Sequence, residues 1–201
     1  MPIIRKDYRT AIKDKRGTAI LEFAIIAPTF LLMLMGTFDL GMAQYVKSIM
    51  EGEIQKAGRD SSLQTGSATT RQTTLDTRVR TRVQTIAKDA TVTFTRKAFQ
   101  RYSNVSAARE DFIDANSNGT CNAGESYTDW NNNSTWDLLG GSTGQGGAKD
   151  AVVYTATTTY NRLFPLYGLA GFPQEQVLTS TTILVNQPFN EQTVPTTRTC
   201  T

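Results

Sequence analysis

Residues Gly17 to Phe38 read GTAILEFAIIAPTFLLMLMGTF, an apolar run of 22 residues in which Glu22 is the only charge. One helix of that length crosses a bilayer core of roughly 30 Å. This constrains the chain more than any other feature, because a segment in lipid must satisfy its own backbone. The carboxylate is the anomaly: an ionised side chain in such a segment costs on the order of 2–3 kcal/mol on insertion scales. Arg5, Lys6, Arg9, Lys13, Lys15 and Arg16 all precede the run. Basic residues on that flank predict a cytoplasmic N-terminus and an exported C-terminal part.

Three fates of the run compete. A secretory signal peptide has an apolar core of about 7–15 residues before a small-residue cleavage site. Gly41-Met42-Ala43 offers such a site, but the run is longer, contains Glu22 and keeps Asp39 ahead of the site. An uncleaved signal anchor explains the hydrophobicity and the basic flank, but not the spacing of Gly17 and Glu22. Counted from Thr18, Glu22 is the fifth residue. Basic leader, glycine, apolar helix and fifth-position glutamate together resemble a type IV prepilin. Arg16-Gly17, Glu22-Phe23-Ala24, Pro28, Gly36, Asp39 and Gly41 resemble, more specifically, the TadE-like pseudopilins of tight-adherence (Flp, type IVb) pilus systems. The resemblance is close over residues 14–45 and loose elsewhere.

That resemblance implies processing between Gly17 and Thr18 by a prepilin peptidase. It also implies single-pass insertion in the bacterial inner membrane, with other pilins or pseudopilins and the pilus assembly platform as partners. Glu22 would then meet the freed α-ammonium of a neighbouring subunit, and opposite charges in contact offset part of each other's desolvation cost. Pro28 removes one helical hydrogen bond and kinks the segment, which membrane helices tolerate where the freed carbonyl finds another partner.

The chain has 201 residues and net charge +3, of which the leader supplies +4 from six basic residues against Asp7 and Asp14. The remainder is close to neutral and carries no electrostatic footprint for nucleic acid. Histidine is absent, which excludes Ser-His-Asp and Cys-His catalysis. No cluster of carboxylates, Lys or Tyr is arranged for chemistry, so an enzyme is not expected. Cys121 and Cys200 are the two cysteines. In an exported domain such a pair reads as a disulfide, the other reading being two unpaired thiols. Closing a loop of about 80 residues would stabilise the fold by roughly 4 kcal/mol in the chain-entropy picture.

The expected organisation is a leader over 1–17, a transmembrane helix over 18–40, an amphipathic stem helix over 41–66 and an extracytoplasmic head over 67–201. Met42, Tyr45, Val46, Ile49, Met50 and Ile54 recur at helical spacing along the stem, and Gly58 and Gly66 suggest its end. Ser61 to Thr74 reads as a polar loop. Leu75, Val79, Val83, Ile86 and Ala87 predict a second helix from about Thr73 to Ala90. Thr91–Thr95, Ala151–Tyr160 and Gln176–Asn186 are rich in Thr and β-branched residues and read as strands. Helices first and strands after predict an α+β, pilin-like head with an antiparallel sheet.

Asp114 to Glu125 satisfies the calcium-loop pattern D-x-[DN]-x-[DN]-G-x5-E, with Asp114, Asn116, Asn118, Gly119 and Glu125 at the specified positions. Alternate side-chain oxygens can curl around one ion, Thr120 adding its carbonyl, Asn122 a direct or water-mediated contact and Glu125 closing the shell. Two carboxylates among neutral amides predict weak binding, on the order of 10⁻⁴–10⁻³ M, suited to a structural ion outside the cell. A related run follows at Asp129, Asn131, Asn133, Thr135 and Asp137, with Ser134 in place of glycine and no closing glutamate. It is a second, degraded site, a lender of Asp129 or Asp137 to the first, or only a turn-rich loop, since Asn and Asp favour turns without metal.

The function these features predict is a minor pilin needed to assemble a Flp-type pilus used in surface adherence. The competing readings are a membrane-anchored, calcium-dependent binding or adhesion module and a pseudopilin of a type II secretion machine.

Overall fold

The computed structural model describes residues 18–63, 69–107, 109–169, 171, 173–187 and 191–201. The basic leader, Gly17 and Gly66 lie outside the described residues. Helix α1 spans Thr18–Ser61 without interruption, Pro28 included. Helix α2 (Thr69–Gln84), strand β1 (Thr91–Phe99) and the one-turn helix α3 (Tyr102–Val105) follow. The later elements are β2 (Ser126–Asp129), β3 (Ser142–Thr143), β4 (Ala151–Asn161), the one-turn helix α4 (Leu166–Leu169), β5 (Glu175–Val185) and β6 (Thr196–Thr199). Long helix first and antiparallel strands after make the fold α+β, as the residue pattern predicts.

Contacts divide the chain into two units. One joins α1 up to Met42 with Arg162–Gln174; the other joins Ala43–Asn161 with Glu175–Thr201. In the first unit the usual distribution is inverted. Ile20, Leu21, Phe23, Ile25, Ile26, Phe30 and Met33 stand exposed, whereas Asp39 is only 3% exposed. A stretch of α1 has a mean hydropathy of 2.1 with none of it buried. An apolar helix surface of this kind suits hydrocarbon rather than water, and it suggests single-pass membrane anchoring.

In the second unit a four-stranded antiparallel sheet runs in the order β3-β1-β4-β5. Period-two alternation gives it two unlike faces. Val92, Ala98, Val152, Tyr154, Ala156, Thr158, Ser180 and Tyr160 are buried on one. The other carries Thr91, Thr93 and Thr95 opposite Thr159, Thr157 and Thr155, with Thr179 and Thr181 beyond. There the Thr155 and Thr181 hydroxyls lie 3.0 Å apart.

The buried face packs against two helices. Val46, Met50, Ile54 and Ala57 form the buried stripe of α1, and Leu75, Val79 and Val83 that of α2. Tyr45, expected on the stripe, is instead exposed. Gly58 does not end the helix. It lets α1 approach the sheet, because a Cβ there would sit 3.1 Å from Thr182 Cγ2 and 3.3 Å from Leu184 Cδ2. The orphan carbonyls at the end of α1 find side-chain and strand-end donors: Gln145 Nε2 donates to Ser61 O at 3.1 Å and Gln187 N to Ser62 O at 2.9 Å.

Helix α2 starts and ends earlier than its apolar spacing predicts. Thr73 and Thr74 return hydrogen bonds to the carbonyls of Thr69 and Thr70, so the last residues of the stretch read as loop, from Thr69, are helical. At the other end Gln84 Nε2 caps a turn by donating to Ala90 O at 2.9 Å. Asp76 ties α2 to the sheet. Arg96 grips it with both terminal nitrogens, at 3.0 and 2.6 Å, and the Tyr154 hydroxyl donates to it at 2.5 Å. Burial, then the hydrogen bond and charge of Asp76, pushes the Tyr154 phenol pKa upward, so it stays a donor.

Candidate functional site

Helix α1 presents its single early carboxylate outward. Glu22 is exposed, one turn after Thr18 opens the helix, among the exposed side chains of Ile20, Leu21, Phe23, Ile25 and Ile26. Nothing among the described residues pairs with it by hydrogen bond or ion pair. A carboxylate so placed on an apolar face gains most from a cation brought by another chain.

The two acidic loops share one backbone design. In the first, Asp114 Oδ1 accepts from Asn118 N at 3.1 Å and Oδ2 from Gly119 N at 2.7 Å. Asn116 Oδ1 accepts from Asn118 N at 3.1 Å, and Asn118 Oδ1 from Thr120 N at 2.9 Å. The second loop repeats each bond. Asp129 Oδ1 accepts from Asn133 N at 3.1 Å, its Oδ2 from Ser134 N at 2.7 Å, Asn131 Oδ1 from Asn133 N at 3.1 Å and Asn133 Oδ1 from Thr135 N at 2.7 Å. Left-handed residues fall at matching places too: Ser117 (φ 59°) with Asn132 (55°), and Gly119 (79°) with Ser134 (68°). Ser134 therefore adopts the conformation glycine takes in the first loop.

The closing glutamate is also duplicated, from an unexpected place. In the first loop Glu125 Oε1 accepts from Ala115 N at 2.9 Å and Oε2 from Asn122 N at 2.8 Å. In the second, Glu110 Oε1 accepts from Trp130 N at 2.8 Å and Oε2 from Asp137 N at 3.0 Å. Trp130 and Asp137 hold the same loop positions as Ala115 and Asn122. The position corresponding to Glu125 is Gly140, where an added Cβ would lie 2.7 Å from Glu110 Cγ. A missing side chain at Gly140 thus leaves the room that Glu110 fills. Glu110 is fully buried. Burial raises its pKa against the opposing pull of the Asp137 and Trp130 N–H groups, and the charges of Asp137 and Asp129 raise it further.

The loops differ in how their charge is answered. Asp129 is fully buried and takes a 2.6 Å hydrogen bond from Arg198 Nε. Asp137 Oδ2 accepts from Asn131 Nδ2 at 2.9 Å and Asn133 Nδ2 at 2.6 Å. No described cation pairs with Asp114; Arg109 Nη1 donates instead to Gly119 O at 2.7 Å. Among the described residues no group of three His, Cys, Asp or Glu side chains is disposed to hold a metal. Any ion in the first loop would rest on Asp114 and Glu125 with the oxygens of Asn116, Asn118, Thr120 and Asn122. The loop passes into strand β2 rather than a helix, so it is not the loop of a helix-loop-helix pair.

Covalent and strand contacts hold both loops. Cys121 and Cys200 form a disulfide, the first of the two readings of this pair. Cys200 N donates to Glu125 O at 2.8 Å, and β2 pairs with β6 from Ser126↔Thr199 to Asp129↔Thr196. The C-terminal tail thus supplies both the disulfide partner of the first loop and the strand that pairs with β2. Sequence reasoning missed Glu110 and Arg198, because only tertiary pairing brings them to residues 129–137.

Residues 17–59 match the family model described as TadE-like protein. No curated protein and no solved structure matches the chain. The matched segment is the apolar, outward-facing part of α1 with Glu22 near its start, together with the stripe Val46, Met50, Ile54 and Ala57 that packs on the sheet. Through that segment, about a fifth of its length, the chain is similar to TadE-like proteins, consistent with a component of a Tad pilus system.

Proposed function

We propose that this chain is a minor pilin of a Tad-type pilus, inserted in the inner membrane with its N-terminus in the cytoplasm and its head outside. It acts as a structural subunit rather than an enzyme. The observation that carries the reading is Glu22, a carboxylate with no partner among the described residues, on an exposed apolar helix inside the segment that matches the TadE-like family. Cleavage after Gly17 would create an α-ammonium on Thr18, and Glu22 of a neighbouring subunit would receive it. Within a bundle of such helices each charge alone is costly, and their contact sets the register of one subunit on the next. Glu22→Ala is expected to abolish pili on the cell surface, counted by electron microscopy, while the protein stays in the membrane at its usual level. Normal piliation by the Glu22→Ala strain would contradict the registration role.

The first acidic loop is proposed to take one structural calcium ion, supported by its full sequence pattern, its left-handed Ser117 and Gly119, and the absence of a described cation at Asp114. With a dissociation constant on the order of 10⁻⁴–10⁻³ M, 10 mM calcium would stabilise the head by about 2 kcal/mol. A rise in melting temperature of a few degrees over an EDTA control, lost in Asp114→Ala, is the expected result. An unchanged melting temperature in calcium would leave the loop braced by its own hydrogen bonds alone.

A further inference from the structure

Between β4 and β5 the chain reads Arg162-Leu-Phe-Pro-Leu-Tyr167-Gly-Leu-Ala-Gly-Phe-Pro-Gln174, with no charge after Arg162. Strand connections exposed to water are ordinarily polar. This one is built of Leu, Phe, Tyr, Ala, Gly and Pro between Arg162 and Gln174, and it belongs to the same unit as α1 up to Met42.

Hydrogen bonds close its base. Arg162 N donates to Gln174 O at 3.1 Å, and Gln174 Nε2 donates to Arg162 O at 3.0 Å and Phe164 O at 2.9 Å. Its first residues are fixed to α1 at one point. Arg162 Nη1 lies 3.0 Å from Asp39 Oδ2, and Leu163 N donates to Asp39 Oδ1 at 3.2 Å. The guanidinium also covers the Tyr167 ring at 3.9 Å. Asp39 is the first charge after Glu22 and directly follows the apolar run. It therefore marks where the helix leaves the hydrocarbon. The attached loop carries Leu163, 56% exposed, beside a helix whose Phe38 and Leu40 are exposed as well.

The geometry points to a second membrane contact: the first part of the β4–β5 connection, Leu163 to Leu169, seats in the interfacial layer of the bilayer beside the exit of the anchor helix, and lipid is its occupant. Continuity with the apolar surface of α1 supplies the argument. Pairing of Arg162 with Asp39 brings no net charge to that depth, where an unpaired charge is costly. Tyr167 is the residue type that settles at the headgroup level. Clamped in this way, the loop would fix the depth of α1 and limit its sliding along the membrane normal. This rests on α1 being membrane-inserted, not on its role in a pilus.

The test uses the full oxidised chain in vesicles of phosphatidylethanolamine and phosphatidylglycerol, at about one copy per vesicle. Both native cysteines are in the disulfide, so an added cysteine can take a nitroxide label alone. Leu163→Cys, Leu32→Cys on the anchor and Thr179→Cys on the open sheet face are compared by spin-label accessibility to oxygen and to a water-soluble nickel complex. Oxygen-dominated relaxation at 163, between the values at 32 and 179, is expected. Nickel accessibility at 163 equal to that at 179, with 32 still lipid-exposed, would overturn the proposal and leave the anchor intact. A site at 163 closed to both reagents would also overturn it, because protein rather than lipid would then cover the loop. Water exposure at 32 would remove the anchor, and the proposal with it.

Discussion

Ser134 shows how a departure from a loop pattern can leave the backbone design of the loop intact. The absence of glycine at 134 and of a closing glutamate at 140 reads as decay of the second loop. In the fold Ser134 simply takes the left-handed conformation, φ 68°, at a cost of about 1 kcal/mol for a residue with a Cβ. Ser134→Gly is therefore expected to stabilise the head by roughly 0.5–1 kcal/mol, seen as a higher melting temperature of the full chain in detergent. A fall would mean that the serine side chain contributes something its contacts do not show. Local spacing made the first loop legible, because its hydrogen bonds join neighbours in sequence, whereas the disulfide was legible because the chain has two cysteines. Glu110 was not legible. It takes the position of a missing side chain at Gly140, and that vacancy exists only once Glu110 N has paired with Asp137 O.

At the scale of elements, alternation of Thr with Val, Phe, Tyr and Leu fixed β1, β4 and β5 to within a few residues, since a period of two admits little else. Helix α2 was harder to delimit. Its first turn, Thr69 to Gln72, is built of residues equally at home in a loop, and tertiary burial of Leu75, Val79 and Val83 decides the matter. Asp76 is the side chain that holds this helix to the sheet, through Arg96 (8% exposed) and Tyr154. Asp76→Ala leaves a nearly buried guanidinium and a buried phenol without their acceptor, at a cost of about 3 kcal/mol. Melting of the variant is expected roughly 10 °C below the parent, with Tyr154→Phe lowering it by only a fraction of that. Equal loss in the two variants would show that the phenol, not the ion pair, carries the tie.

For the whole molecule, the anchor helix and its glutamate were plain in sequence, because crossing a bilayer demands a long uncharged run and any charge within it stands out. The attachment of residues 162–174 to Asp39 was not, because it joins points more than a hundred residues apart. The function proposed above is that of a processed pilin-like subunit whose helix enters a bundle through Glu22. The most direct test is the mass of the mature N-terminal peptide from membranes of a host that makes the pilus. The account predicts a chain beginning at Thr18, whose new α-ammonium is the partner Glu22 lacks among the described residues. A chain that keeps residues 1–17 would contradict it, because without that cation Glu22 has nothing to register against.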